Sequence, residues 1–460
     1  MNKNIWVRIY LVVTISVLLA SAVIIGCAKK DKKDKVVAGS SAPALSGWTI
    51  VSSPDSPGFS WLANTAADAD YLYIVGNDMF TGTSTTGWRI EKRSKSTGAL
   101  DSGFGLYQSG IITVNHTATN NSLNSIAVDD TYLYTAGMVS ATPQILLIEK
   151  RYKTTGALVN EFGLYNNGTI TSVAGNATVP LCVIADSTYL YIGGYDTSGP
   201  GGLQEWRLEK RDKTTGALIT GFGLYQAGVV TSYQSDTSYD ALQKMVMDND
   251  YLYMAGYVIR NSNIYWHIEK RDKISGTLAA GFGVGGVITQ TAIGDVGGRA
   301  WNIAADDNYI YILGVNNAAT NEEWRLEKRD KISGTPAAGF GLYEAGVITS
   351  YPVTYGMWAG SIVLDTGNVY IGGYETDASN NYPLRVEKRD MVTGALVTGF
   401  GTNGVFRHTT AVGGGTGGDN EAFVLLADSN YVYITGVTSN IAQSDYGWLY
   451  IKLIKSTGGQ

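Results

Sequence analysis

Short apolar and aromatic runs recur along the chain, and Gly, Asp, Asn or Thr residues separate each run from the next. In one stretch, Leu181–Ala185 and Tyr189–Gly193 are such runs, Trp206–Arg211 alternates between apolar and charged residues, and Gly228–Ser232 follows. Aromatic and β-branched runs bounded by turn residues predict strands. No segment of useful length has the 3.6-residue period of a helix. The pattern therefore predicts four short strands in this unit.

The same unit recurs seven times along the chain. Each copy contains, with variations, Asp-x-x-Tyr-x-Tyr and a glycine, then Glu-Lys-Arg before a Thr/Ser-Gly pair, then Gly-Phe-Gly. The glycine of the Thr/Ser-Gly pair occurs at Gly98, Gly156, Gly216, Gly276, Gly334, Gly394 and Gly458, so 360 residues divide into six steps averaging 60. Four strands in a repeat of this length predict a propeller blade, because radial repetition leaves only short, protected sheet edges.

The two ends of the repeat region complement each other. The seventh copy has its first three strands, at Phe423–Ala427, Tyr431–Gly436 and Trp448–Ile454, and the chain stops six residues later. Near the other end, Trp48–Ser52 matches the pattern of a fourth strand, as in Val347–Ser350. We therefore predict an all-β fold over residues 47–460. It is a seven-bladed β-propeller with four antiparallel strands per blade, in which the N-terminal strand completes the last blade.

One repeat carries a family resemblance. Residues 207–218 read Arg-Leu-Glu-Lys-Arg-Asp-Lys-Thr-Thr-Gly-Ala-Leu, and Gly-Phe-Gly and Gly-Val-Val-Thr follow. This string resembles the delta-60 repeat, and the likeness covers about residues 100–455. Only Leu100-Asp101, followed by Phe104-Gly105, keeps the Leu-Asp pair of that family. The resemblance implies a repeat type and does not imply a particular activity.

Residues 1–26 have the features of a targeting segment. Lys3 and Arg8 precede a mainly apolar run, Ile9–Ile25, which ends in Ile-Ile-Gly-Cys at Cys27. This ending resembles the lipobox of bacterial lipoproteins, which implies cleavage before Cys27 and attachment of lipid to that residue. The alternative is an uncleaved transmembrane anchor, since the 17 residues of the run are near the lower limit for a span.

Residues 27–46 predict a tether. Their alternation of lysine and aspartate, followed by small residues, provides no apolar surface to bury, which is typical of a solvated linker. Both interpretations of the N-terminal segment place the propeller outside the cytoplasm, in the cell envelope. Ala28 after the lipid-bearing cysteine resembles the outer-membrane lipoproteins of Gram-negative bacteria.

Charge and cysteine content limit the partners. The chain has a net charge of −6, and residues 1–46 carry seven Lys/Arg and two Asp, or +5, so the repeat region carries −11. An acidic domain disfavours binding to a phosphate backbone, and we expect no nucleic-acid partner. Apart from Cys27, the only cysteine is Cys182, in an apolar run. No disulfide framework is possible, and Cys182 is expected to be a small buried residue.

The repeated charged residues are interpreted as framework. Seven aspartates each stand three residues before a second strand, where Asp commonly bonds its own turn: Asp68, Asp129, Asp186, Asp248, Asp306, Asp365 and Asp428. Seven equal calcium sites would be improbable, and no metal is expected. The Glu-Lys-Arg triplets predict charge pairs between strands or blades. In the seventh copy Ile451 and Leu453 replace Glu and Arg, which indicates a packing position rather than a binding band.

The chain lacks a recognisable catalytic constellation. Histidine occurs only at positions 116, 267 and 408, in different copies, which argues against a Ser-His-Asp triad or a His-rich metal site. The Thr-Gly turn lacks the docking tryptophan of quinoprotein blades, and no adjacent cysteine pair is present, so no cofactor is expected. Glycoside cleavage needs only two carboxylates. Acids outside the repeat pattern are the candidates for this alternative: Asp236, Asp295 and Glu375.

The copies disagree most in the loops between second and third strands and between successive blades. In a propeller these two sets lie on one face, here called the variable face, around the channel mouth. Variable loops on a rigid scaffold commonly bind partners, although exposed loops also vary without binding. The candidate binding residues are Phe80, Tyr239, Tyr265, Tyr355, Trp358, Tyr382 and Tyr446.

These observations favour a lipid-anchored, non-enzymatic module of the cell envelope that binds a protein or a glycan. Aromatic side chains among Asn, Ser and Gly are typical of such contacts. The first alternative is an envelope polysaccharide hydrolase or lyase that uses unrepeated carboxylates at the channel mouth. A purely architectural role is the second alternative.

Overall fold

In a computed structural model of the chain, the described residues are 46–52, 60–80, 85–105, 110–117, 120–163, 168–172, 176–223, 228–232, 239–261, 263–290, 298–317, 322–341, 346–350, 355–376, 382–408, 420–440 and 445–460. At several strand ends the description covers the backbone only, as at Tyr355 and Tyr446. The targeting segment, Cys27 and nearly all of the expected tether lie outside the described residues.

The chain first forms β1 (Trp48–Ser52) and then three blades. Blade 1 contains β2 (Trp61–Ala67), β3 (Tyr71–Met79), β4 (Thr86–Ser94) and β5 (Ile111–Val114). Blade 2 contains β6 (Asn121–Val128), β7 (Tyr132–Val139), β8 (Ile145–Tyr152) and β9 (Thr169–Thr171). Blade 3 contains β10 (Thr178–Ala185), β11 (Tyr189–Asp196), a 3₁₀ turn (Pro200–Gly202), β12 (Glu205–Asp212) and β13 (Val229–Ser232).

Four more blades follow. Blade 4 contains β14 (Ala241–Met247), β15 (Tyr251–Arg260), β16 (Asn263–Asp272) and β17 (Val287–Gln290). Blade 5 contains β18 (Gly298–Ala305), β19 (Tyr309–Asn317), β20 (Glu322–Asp330) and β21 (Val347–Ser350). Blade 6 contains β22 (Tyr355–Asp365), β23 (Asn368–Thr376), β24 (Leu384–Asp390) and β25 (Val405–His408). Blade 7 contains β26 (Asn420–Ala427), β27 (Tyr431–Asn440), β28 (Asp445–Ile454) and the N-terminal β1.

The seven-bladed propeller is confirmed. Each blade is a four-stranded antiparallel sheet in which consecutive strands are neighbours. The first strands of adjacent blades contact one another all the way round, and β2 of blade 1 also contacts β26 of blade 7. The first strands therefore surround the central axis, and the ring is closed.

The N-terminal strand completes blade 7, as the sequence predicted. β1 pairs antiparallel with β28 from Trp48 opposite Lys452 to Ser52 opposite Trp448. The Ser52 hydroxyl also donates a hydrogen bond of 2.9 Å to Glu91 of blade 1. The last blade is thus built from both ends of the repeat region.

The repeated Thr/Ser-Gly pair is a contact point between blades. Gly216 has a φ of +77°, which L side chains rarely adopt, and an added Cβ would lie 2.0 Å from Cδ1 of Ile170 in the fourth strand of blade 2. Ile112 makes the same approach to Gly156, and Ile50 of β1 makes it to Gly98. At six of the seven turns the fourth strand therefore rests on the turn of the next blade, and this contact explains why the glycine recurs.

We expect Gly216→Ala to destabilise the protein by about 2 to 3 kcal/mol, because positive-φ strain adds to a steric clash with Ile170. Gly221→Ala is the matched control, since Gly221 has a φ of +89° with nothing within 4 Å of an added Cβ. The control should lose only the strain, about 1 kcal/mol. Thermal unfolding of both variants tests this expectation. An equal loss of stability in the two variants would contradict a contact between blades at Gly216.

Six of the seven repeated aspartates bond their own turns, and most of the seven also join two blades. Oδ1 of Asp68 accepts the N–H groups of Asp70 and Tyr71, and Oδ2 accepts the Tyr73 hydroxyl at 2.9 Å. The turn interpretation is therefore confirmed for these six, while Asp365 makes no such bond with a described residue and pairs with Lys455 instead. In addition, Lys153 of the next blade lies 3.0 Å from the same carboxylate. Lys95 of blade 1 contacts Asp428 of blade 7 at 3.2 Å in the same way, across the point where the ring closes.

The Glu-Lys-Arg triplets form buried charge clusters between blades. Glu209 is 0% exposed, and its two carboxylate oxygens accept hydrogen bonds from Arg207 at 2.8 Å and from Arg211 at 2.7 Å. Arg211 also donates to the carbonyl of Gly216, the turn glycine. Burial alone would raise the pKa of Glu209, but the two guanidiniums hold it below its ordinary value, so the carboxylate is ionised.

Candidate functional site

The variable face is formed by the ends of the strands farthest from the Asp turns. Because consecutive strands are antiparallel, loops between second and third strands lie at the same end of a blade as connections to the next blade. A hydrogen bond shows this directly, since Asn120 in the connection from blade 1 to blade 2 accepts the N–H of Thr86 at the start of β4. The first strands bring their N-terminal ends to this face at the channel mouth.

Every first strand contains a β-bulge at one shared position. Register shifts place one extra residue in each of them. A bulge re-aims the side chain that it carries. The extra residues are Ala63, Asn124, Leu181, Gln243, Trp301, Gly360 and Phe423. Among them Trp301 is the one whose described side chain is a large aromatic ring.

Five aromatic rings form a continuous row across blades 4, 5 and 6, here called the aromatic row. Tyr257 lies 6.2 Å from Trp301, and Trp301 lies 6.3 Å from Trp358. Trp358 stacks on Tyr374 at 6.3 Å, and Tyr374 meets Tyr382 edge-on at 5.5 Å. All five are half-buried. Each residue therefore keeps part of its surface exposed on a rigid strand or at a strand end, while Trp301 and Trp358 also pack against hydrophobic cores.

The aromatic row includes two of the residues that the sequence singled out, Trp358 and Tyr382. The others are distributed more widely. Phe80 follows β3 in blade 1, Tyr265 lies on β16, and Tyr239 precedes β14 with its residue 60% exposed. Tyr355 and Tyr446 lie on β22 and β28, but their side chains are outside the described part of the structure.

Three members of the row were missed in the sequence, namely Tyr257, Trp301 and Tyr374. Tyr257 and Tyr374 belong to second strands, where aromatic residues are so frequent that they carry no functional signal. Trp301 was hidden because the bulge changes which face an alternating pattern assigns to it. Its presence where the other copies have Ala, Asn, Leu, Gln, Gly or Phe was the signal that could have identified it.

Among the acids proposed for a hydrolase, Glu375 is held in a structural network. It is 8% exposed and forms ion pairs with Arg385 and with Arg407. In register it matches Asp78 of blade 1, which pairs with Arg89 in the same way. Both carboxylate oxygens of Glu375 are thus engaged by guanidiniums rather than directed toward a substrate. Asp236 and Asp295 lie outside the described residues.

A different pair of carboxylates lies at the variable end of blade 3. Asp196 and Glu205 face each other across β11 and β12, and the Ser198 hydroxyl bridges them. Burial and the neighbouring Asp196 raise the pKa of Glu205, although Ser198 and Arg207 oppose the shift. Both acids are less than 9% exposed, and Arg207 binds Asp196 at 2.7 Å. The pair therefore belongs to the packed interior rather than to an accessible cleft.

The histidines and the described cysteine occupy structural positions. His267 stands where other blades have arginine and lies 3.1 Å from Glu269, while His116 lies 3.4 Å from Glu149. Cys182 is buried as expected, and burial raises the pKa of its thiol to about 12. Among the described residues, no group of three or more His, Cys, Asp or Glu side chains could hold a metal ion.

A cavity of about 620 Å³ lies between blades 4 and 5. It is lined by Val287–Thr289 of the outermost strand of blade 4 and by Ser333–Pro336 in the turn of blade 5. None of the described residues that line this cavity carries a carboxylate. It therefore does not assemble the pair of acids that glycoside cleavage requires.

Comparisons with known proteins give likenesses of fold only. No protein-family model and no curated protein matches the chain. The β-propeller domain of the Trilobed protease from Pyrococcus furiosus has a TM-score of 0.43 at 10% identity, over 86% of this chain and 94% of that one. Drosophila Semaphorin 2a has a TM-score of 0.43 at 8% identity, over 87% and 76%.

A third similar structure is the acylaminoacyl peptidase of Pyrococcus horikoshii, with a TM-score of 0.41 at 8% identity over 82% of this chain. The chain spans about half the length of that peptidase, 49%. At these identities and TM-scores no activity can be transferred. In the described part of the chain, no helix has the length and apolar character needed to cross a membrane.

Proposed function

We propose that this protein is a lipid-anchored β-propeller of the cell envelope that binds a glycan or a protein at its variable face without chemical turnover. The observation that carries the proposal is the aromatic row. Its five half-buried rings lie 5.5 to 6.3 Å apart on three consecutive blades. Rigid aromatic side chains offer large contact areas at a low cost in conformational entropy, which suits stacking on sugar rings.

The lipid anchor and the envelope location rest on the lipobox-like segment that ends at Cys27. A negatively charged repeat domain on a polar tether would stand away from an anionic membrane surface, with its variable face accessible to extracellular ligands. No nucleic-acid partner is proposed, because the repeat domain carries −11.

The test is a glycan array probed with purified full-length protein and with the variant Trp301→Ala/Trp358→Ala. For each glycan that the wild-type protein binds, we expect the affinity of the double variant to be at least about tenfold lower, because two stacking surfaces are lost. Tyr152→Ala is the matched control, since Tyr152 is 36% exposed and lies at the C-terminal end of β8, on the opposite face. Equal binding by all three proteins would contradict a role for the aromatic row.

The same preparations distinguish binding from catalysis. Polysaccharides that the wild type retains are incubated with it, and new reducing ends or unsaturated products are measured. Product formation would favour the alternative, an envelope hydrolase or lyase. The Arg-paired environment of Glu375 argues against that outcome.

A further inference from the structure

Arg299 is placed on the aromatic row. It lies on the first strand of blade 5, opposite Val315 in the register of β18 and β19. Its guanidinium carbon is 5.2 Å from the ring centre of Tyr257 and 5.7 Å from that of Trp301. The corresponding positions are Trp61 and Trp358 in blades 1 and 6, and Ser122, Val179, Ala241 and Glu421 in the other blades. Blade 5 is therefore the blade that carries a cation at this point of the channel mouth.

Arg299 differs from the arginines of the repeat in having no anionic partner among the described residues. Arg207, Arg325 and Arg385 each bind a buried glutamate two residues further along their own strand. Arg299 makes no hydrogen bond or ion pair with any described residue, and its Nε is buried without an acceptor. Arg299 is half-buried, and contact with aromatic faces offsets only part of the free energy of partly burying a guanidinium without a described anion.

One further group at this position lacks a partner. The indole Nε1 of Trp301 is buried without an acceptor, although some tryptophans of the blade cores share this property. The cationic Arg299 stands out in a repeat region that carries −11. It makes this sector of the mouth locally attractive to an anion.

We propose that the aromatic row binds an acidic glycan, with the Arg299 guanidinium taking a sugar carboxylate. The inference rests on the proposed function and specifies its ligand class. A planar guanidinium matches a carboxylate with two parallel N–H···O bonds. The rings of Trp301 and Trp358 would stack on the sugars to either side. A neutral glycan would leave this half-buried charge without an anion among the described residues, which disfavours it as the natural ligand.

The experiment measures binding of full-length protein to polygalacturonate, to its methyl ester and to dextran by calorimetry. We expect wild-type protein to bind polygalacturonate at least about tenfold more tightly than the ester, since one bidentate charged contact is lost in the ester. Arg299→Gln should abolish this preference. Arg299→Lys, which keeps the charge without the planar fork, should retain part of it. The affinity of wild-type protein should also fall as salt concentration rises.

Thermal unfolding provides the folding control. Because Arg299 has no described anionic partner, Arg299→Gln should melt at or above the wild-type temperature. Unchanged polygalacturonate binding by a folded Arg299→Gln variant would overturn the inference. Binding of dextran and the ester that depends on Trp358 but not on Arg299 would also overturn it, while leaving the proposed function in place. No binding of any glycan on the array or in calorimetry would remove the inference together with the glycan-binding form of the proposed function.

Discussion

A chain that begins at residue 53 is expected to lose at least about 5 kcal/mol of stability relative to a chain that begins at residue 46. The shorter chain lacks β1, and with it five residue pairs against β28 and the half-buried side chains of Trp48 and Ile50. Each lost hydrogen bond contributes on the order of 1 kcal/mol, and apolar contacts add to this. Thermal and denaturant-induced unfolding of the two chains measure the difference.

The ring should open as well as weaken. Without β1, β28 becomes an unprotected edge strand, and exposed edges pair with other chains. We therefore expect the shorter chain to form oligomers in size-exclusion chromatography, while the longer one remains unchanged. Identical melting and elution of both chains would contradict the role of β1 as the closing strand.

Point substitutions within β1 distinguish the contribution of side-chain packing from the effect of removing the whole strand. Ile50 contacts the turn of blade 1, where an added Cβ on Gly98 would lie 2.1 Å from its Cδ1. Thr49 is exposed on the same strand. Ile50→Asp should therefore destabilise the ring by about 2 to 4 kcal/mol, and Thr49→Asp should have little effect.

Much of this architecture was predictable because the seven repeats can be compared with one another. Strand type, the sevenfold period and the complementary ends all follow from residues that recur, and the pairing of Trp48–Ser52 with β28 confirms the deduction. Strand ends were less predictable. β27, for example, runs from Tyr431 to Asn440, four residues beyond the predicted end. Backbone pairing continues into the variable face even where side chains no longer repeat, since the ladder does not depend on their identity.

Contacts between blades were harder to predict than contacts within them. A lysine that follows the triplet, such as Lys153, reaches the turn aspartate of the preceding blade. The sequence of one repeat does not indicate that this lysine and this aspartate are close in space, because their distance depends on how neighbouring sheets pack. Blade 6 is an exception, because Met391 occupies the lysine position there and makes no ion pair with the preceding blade. Asp306 of blade 5 is instead bonded by its own turn and by Tyr311.

The candidate site was only partly predictable for a related reason. Variation between copies identified the correct face to search, and it identified Trp358. It could not show that Tyr257, Trp301 and Tyr374 form one row with Trp358. These residues lie on three different blades, and Trp301 lies at a bulge, so their proximity in space does not follow from the sequence. Variation between copies also presented Glu375 as unrepeated, whereas strand register aligns it with Asp78 and Asp196 as a partner for arginine.

Glu209→Ala is expected to lower stability by about 3 to 5 kcal/mol, or roughly 5 °C in melting temperature for a domain of this size. The substitution leaves Arg207 and Arg211 partly or fully buried without their shared carboxylate. Because the folded pKa of Glu209 lies below its ordinary value of 4.5, its contribution is present above that pH and is lost as pH falls below it. The difference between wild type and variant should therefore shrink in acid.

Blade 7 supplies the matched control for this expectation. It carries apolar or neutral residues at the positions of the charge cluster, and Ile451, Leu453 and Leu449 are all buried there. Transferring its residues to blade 3 gives the variant Asp196→Thr/Arg207→Leu/Glu209→Ile/Arg211→Leu. Replacing a whole buried ionic cluster by packed apolar side chains is often neutral, whereas removing one partner is not. The fourfold variant should thus melt above Glu209→Ala, and a lower melting temperature would show that the cluster is irreplaceable in blade 3.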